Sequence, residues 1–151
     1  MDIQTLSQIN RDIKNVIEKI GVEKVQSEPI VWAYYLMDFF NFNVTKGGFA
    51  QLIYNLQGNY LEDIEEMLRR TNAQIAFDYY VRAIELCLND SDSYQKFISG
   101  NYVDENSVKN KLHLISIDYF GKKIDFADES NSFIDNYSSE VIERIEVLNE
   151  N

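Results

Sequence analysis

The chain is short of almost everything that punctuates or staples a small protein. Among 151 residues there are one cysteine, one proline, one histidine and six glycines. A lone cysteine, Cys87, excludes an intramolecular disulfide. It lies in the apolar run Ala83-Ile84-Glu85-Leu86-Cys87-Leu88 and reads as a buried, inert thiol. One thiol and one histidine, His113, cannot assemble the usual zinc ligand sets. A Ser-His-Asp triad would have to be built on His113 alone, and no Gly-x-Ser-x-Gly elbow is present. No apolar run approaches the roughly 18 residues that a membrane-spanning helix needs. The start, Met1-Asp2-Ile3-Gln4, has neither a basic region nor a continuous apolar stretch, so no signal peptide is expected and the chain reads as cytoplasmic.

Positive charge is also scarce. There are 14 lysines and arginines against 25 aspartates and glutamates, a formal net charge of -11. The deficit is concentrated in residues 124–151. That stretch carries eight acids (Asp125, Asp128, Glu129, Asp135, Glu140, Glu143, Glu146 and Glu150) against one base, Arg144, a net of -7. An acidic surface of this kind repels nucleic acid and anionic membranes and attracts basic partners.

What the chain does have is apolar and aromatic content. Hydrophobic residues make up 45% and aromatics 13%, enough to form a folded core rather than a disordered acidic chain. At this length we expect one domain, residues 1–151, and the scarcity of glycine and proline makes it all-α.

Apolar residues at spacings of three and four from Ile3 to Ile20 predict an amphipathic first helix, with Gly21 ending it. Ser27-Glu28-Pro29 predicts the next start, with Ser27 as cap. Residues 30–42 are apolar nearly all round, as a central buried helix would be. Gly47-Gly48 predicts a tight turn packed on Trp32 or Phe39, followed by a short helix over residues 49–56. Further helices are expected over 61–70, 73–88, 94–99, 107–120 and 129–148. The Glu65–Arg69 and Glu66–Arg70 pairs mark a solvated face of the 61–70 helix. Leu114-Ile115-Ser116-Ile117 has strand propensity, but the spacing of Val108, Leu112, Ile115 and Tyr119 favours helix.

No constellation for chemistry stands out. Asp90-Ser91-Asp92-Ser93 lacks the glycine and distal glutamate of a calcium loop and reads as a helix cap. Gly47-Gly48 is neither a Walker loop nor a dinucleotide fingerprint. Abundant carboxylates without a defined pocket carry no acid–base signal. We therefore expect no catalytic residues, no metal site and no cofactor.

The run Val44-Thr45-Lys46-Gly47-Gly48-Phe49-Ala50-Gln51, continuing to Asn55 and Gly58, resembles the signature of a bacterial family of the DMP-nineteen type, which includes a DNA mimic. Trp32, Asn72-Ala73, Ile117-Asp118-Tyr119-Phe120 and the final helix around residues 133–147 are similar to other parts of that family, over residues 28–145 in all. The sequence departs from the family at Lys46, where asparagine is usual, and at Asn72. The resemblance implies an all-α, often homodimeric, non-catalytic protein, and DNA mimicry less directly, because the Gly-Gly-Phe signature contains no acids.

These readings converge on an acidic protein-binding module. The expected contact surface is the set Asp125, Asp128, Glu129, Asp135, Glu140, Glu143, Glu146 and Glu150, and the expected partner is a basic protein such as a DNA-binding regulator. An immunity or antitoxin-like inhibitor of a basic toxin, and an acidic surface serving only solubility, are the alternatives. Charge density limits the first reading. Asp135, Glu143, Glu146 and Glu150 span about 22 Å of helix. Duplex DNA of that length carries about 13 charges. Mimicry therefore needs further acids, such as Asp125, Asp128, Glu129, Asp104 and Glu105, or a second subunit that doubles the array.

Overall fold

The computed structural model describes residues 3–150, and among them eight helices and no strand. The first is α1 (Ile3–Ile20), which buries Leu6, Ile9, Ile13 and Val16 on one face. Gly21 ends it with a φ of 95°, a conformation that glycine adopts without steric cost. A short helix that the sequence pattern did not show, α2 (Val22–Gln26), follows and is anchored by the buried Val25. Ser27 closes α2 instead of opening the next helix, for its hydroxyl donates to the Lys24 carbonyl at 2.6 Å. The N-cap of α3 (Pro29–Leu56) is Glu28, with Pro29 in the first helical position.

The first half of α3 runs further than the sequence suggested, up to Gly47-Gly48, where a kink breaks the helix as expected and a second helical half begins at Phe49. The backbone leaves helical geometry only at Gly48, where φ is 71° and ψ is -164°. The Phe49 amide, deprived of its helical acceptor, donates to Ser116 Oγ at 2.8 Å. That hydroxyl in turn donates to the Leu112 carbonyl at 3.0 Å. The turn thus packs on Ser116 rather than on Trp32 or Phe39. Trp32 stacks on Tyr35 and donates its Nε1–H to Asp63 at 2.9 Å. A side-chain bridge crosses the bend: Asn43 Oδ1 accepts from Gln51 Nε2 at 3.1 Å and from Asn55 Nδ2 at 2.6 Å.

The remaining helices are α4 (Leu61–Arg70), α5 (Gln74–Asn89), α6 (Ser91–Ser99), α7 (Ser107–Gly121) and α8 (Phe126–Asn149). Asp90 caps α6 by accepting the Ser93 amide, and Asn106 caps α7 by accepting that of Lys109. On α4, Arg69 reaches both Glu65 and Glu66 at 3.7 Å, whereas Arg70 turns to the Phe133 ring instead of pairing with Glu66. Residues 114–117 are helical, because Leu112, Ser116 and Tyr119 bury one face of α7. One hydrophobic cluster takes side chains from all eight helices. Phe40 lies near its centre, with ring centroids 5.1 Å from Phe126, 6.2 Å from Phe49 and 6.5 Å from Tyr80. Cys87 is buried and its thiol is pushed up to about 12 by desolvation, so it stays protonated and unreactive at neutral pH. None of the described helices is long and apolar enough to cross a membrane.

A Cβ on Gly48 would stand 2.8 Å from Ser116 Cβ and closer still to its hydroxyl, at a φ that L side chains rarely adopt. Gly48→Ala is therefore expected to destabilise the fold by about 2 kcal/mol or more. Gly121→Ala is the control, since no atom lies within 4 Å of a Cβ placed there. It should shift stability by no more than about 0.5 kcal/mol in urea denaturation.

Candidate partner-binding surface

The acidic C-terminal segment is a docked helix. On α8, Phe126, Ser130, Phe133, Ile134, Ser138, Val141, Ile145 and Leu148 are buried. They lie against α1, α3 and α5. Tyr34 of α3 fixes the depth of α8 by donating its hydroxyl to the Ile134 carbonyl at 2.6 Å. Burial, and then the nearby Asp135 carboxylate, raise the Tyr34 phenol well above its usual range, so it remains a donor.

The eight predicted contact acids divide into two groups. Asp125, Asp128 and Glu129 hold the start of α8 in place. Asp125 Oδ1 accepts the Asp128 amide at 2.9 Å, and Asp128 Oδ2 accepts the Asp125 amide at 3.2 Å, a reciprocal capping box. Two carboxylates at a helix N-terminus also suit the partial positive charge there. Glu129 reaches across to α5, where Oε2 accepts the Ile75 amide at 2.8 Å and Oε1 accepts the Ala76 amide at 3.0 Å. The α5 cap residue, Ala73, has no side chain that could satisfy those amides, so α8 supplies the cap. Burial is the main cause of a raised Tyr119 phenol pKa, followed by the negative field of Glu129 and Asp125 and, more weakly, of Asp128.

Glu140, Glu143, Glu146 and Glu150 are exposed and make no ion pair with any described residue. Asp135 is exposed beside them. Glu143, Glu146 and Glu150 crowd the C-terminal end of α8, where the helix dipole already places partial negative charge and where the last turn has no base. The compensating cation comes from another helix, for Lys19 of α1 donates to the Asn149 carbonyl at 3.0 Å. A groove of about 300 Å³ separates α1 from α8, with Asp12 on one side and Glu146 on the other. Asp12 therefore extends the acidic face. Asp104 and Glu105 do not, since they precede α7, which packs on α3, α5 and α6.

Residues 27–146 match the model of the DMP19-like protein family. The chain belongs to this family. No curated protein and no solved structure matches it. The matched span extends one residue beyond each end of residues 28–145. The family's Gly-Gly-Phe stretch forms the bend of α3, and its glutamine and asparagine, Gln51 and Asn55, bridge that bend through Asn43. The signature residues thus hold the helix in shape and lie apart from the acidic face on α8.

Among the described residues no three histidines, cysteines, aspartates or glutamates lie close enough together to hold a metal ion. The arrangement on α8 can present fixed negative charge to a cationic surface. Sequence patterns did not reveal Asp12 or Lys19 as part of this region, because the partner of the polar face of α1 is set by packing. Nor did they separate Glu129 from its neighbours, since a cap donated across 54 residues leaves no local signature.

Removing the Glu129 cap exposes two buried-end amides. Glu129→Ala is expected to lower stability by about 2 kcal/mol, with Glu129→Gln recovering part of the loss. Glu140→Ala, a truncation on the exposed face, should change stability by less than about 0.5 kcal/mol. Thermal and urea unfolding of the three variants would check the division of the acids.

Proposed function

We propose that the chain is a non-enzymatic binding module that presents the acidic face of α8 to the basic surface of a DNA-binding protein. The observation that carries this reading is the row Glu140, Glu143, Glu146 and Glu150, exposed and without an ion pair to any described residue, on a helix whose other face is firmly docked. A row of like charges at a helix C-terminus is electrostatically unfavourable within the monomer. A cationic partner turns that cost into attraction, and it also speeds association. Membership of the DMP19-like family supports the same reading.

The spacing defines what kind of mimicry is involved. Successive phosphates on one DNA strand lie about 3.4 Å apart along the axis. Glu143 and Glu146 are separated by about 4.5 Å of helix, and Glu146 and Glu150 by about 6 Å. The face is sparser than even one strand. It stands in for the few phosphates that a single basic element contacts, not for a length of duplex. A homodimer that set two such faces side by side would double the array.

Charge reversal at Glu143, Glu146 and Glu150 to lysine is expected to abolish capture of DNA-binding proteins from cells of the native organism. Wild-type capture should fall steeply between roughly 50 and 500 mM salt and be competed by duplex DNA. Equal capture by wild type and the variant would reduce the acidic face to a solubilising role. In the same set, Glu143→Gln, Glu146→Gln and Glu150→Gln together should raise the melting temperature at low salt by a few degrees, on the order of 1 kcal/mol, while weakening capture. Loss of capture would then not be attributable to unfolding.

A further inference from the structure

A second surface differs from the first in both charge and polarity. On α7, Leu114, Ile117 and Phe120 are 66%, 68% and 50% exposed, an apolar stripe at intervals of three residues on the side opposite the buried Leu112 and Tyr119. The stripe borders a groove of about 540 Å³ that opens between α7 and the bend of α3, with Ile117, Phe120, Gly48, Lys46 and Tyr102 in its walls. The groove is concave; apolar surface predominates in it, Thr45, Gln51, His113 and Ser116 also line it, and no aspartate or glutamate does. It exists because α3 bends at Gly48 and is pinned there to Ser116.

The groove itself carries positive charge and no acid. Lys46 lines the groove, and Lys111, Lys122 and Lys123 lie along α7 and just beyond its end. None of these four lysines forms an ion pair with a described residue. The one acid on α7, Asp118, is already engaged, accepting from the Tyr79 hydroxyl at 2.6 Å with Arg82 at 3.6 Å. Exposed apolar side chains with Lys46 beside them and no acid in the groove fit a ligand with apolar side chains on one face and carboxylates next to them.

We propose that this groove seats an acidic amphipathic helix of a partner protein. Its apolar residues pack on Ile117 and Phe120, with Leu114 at the edge, and its carboxylates meet Lys46. A helix laid in a groove uses anchors three and four residues apart, which is the spacing that the stripe presents. A second copy of this chain fits less well. The same face of a second copy would bring Ile117 and Phe120 together but leave Lys46 without an acid, since no aspartate or glutamate lines the groove. An anionic bilayer fits less well too, because the surface is concave and the net charge is -11. The proposal does not rest on the acidic-face reading, and either can fail without the other.

Peptides of about 18 residues, with leucine and phenylalanine at helical spacing and glutamate elsewhere, are suitable probes for the full-length chain by fluorescence anisotropy. Micromolar binding of the glutamate peptides is expected, with none for lysine counterparts of the same apolar pattern. Ile117→Ser with Phe120→Ser should weaken binding by about tenfold or more, and Lys46→Glu by about fivefold with a shallower salt dependence. All three side chains are exposed or groove-lining, so an unchanged melting temperature should accompany the loss. Failure of every glutamate peptide to bind below roughly 1 mM would overturn the proposal. So would binding that Ile117→Ser with Phe120→Ser leaves intact. Sedimentation showing a dimer that this double variant dissolves would assign the face to a second copy instead. Phosphatidylglycerol vesicle binding that the variant abolishes would assign it to a membrane.

Discussion

The hydrogen bond from the Phe49 amide to Ser116 Oγ is the constraint on which the rest of the architecture turns. A straight helix as apolar as α3 would project its far end beyond the layer of helices that covers the near end. The left-handed geometry at Gly48 bends the axis, and the amide freed by the bend would be an unsatisfied buried donor without Ser116. The two halves of α3 can then be covered separately. Trp32 in the first half bonds to Asp63 of α4 and Tyr34 to the α8 backbone. Tyr54 in the second half bonds to the Gly100 carbonyl at the end of α6. The Asn43, Gln51 and Asn55 side chains bridge the bend and keep the two halves at a fixed angle. The groove beside α7 is the outer side of the same device.

Electrostatics is shared between helices in a second, less local way. α8 lends Glu129 to the open N-terminus of α5, and α1 lends Lys19 to the C-terminal end of α8. Each helix end receives the charge sign that its dipole favours, but from a neighbour. With those roles filled, the glutamates on the outer face of α8 contribute nothing to folding that the structure shows. This separation makes the outer face a surface on which charge is available for a partner.

Much of the helical content was legible in local patterns. Apolar spacing placed α1, α4 and α5 within a residue or two, because an amphipathic helix writes its period into the chain. The outward set on α8, Asp135, Glu143, Glu146 and Glu150, followed from the same geometry, and all four are exposed. Helix boundaries were less legible where backbone bonding competes with side-chain chemistry. Ser27 is a good cap by type, yet its hydroxyl bonds backwards to Lys24. Gly47-Gly48 has the composition of a break and is one, but only α7 shows how the amide freed there is satisfied, by Ser116.

The sequence by itself determined an all-helical chain with a strongly acidic final helix and a Gly-Gly-Phe bend, since periodicity, charge and backbone permissiveness are properties of neighbouring residues. The tertiary structure alone decided which carboxylates are tied down and which face outward, and that Asp12 joins the acidic face while Asp104 and Glu105 do not. It also decided that α7 leaves Leu114, Ile117 and Phe120 uncovered. Those outcomes depend on which helix ends meet, and bonds such as Glu129 to Ile75 join residues 54 apart. Nothing in the residues on either side of such a bond encodes its partner, so only the packed chain could reveal it.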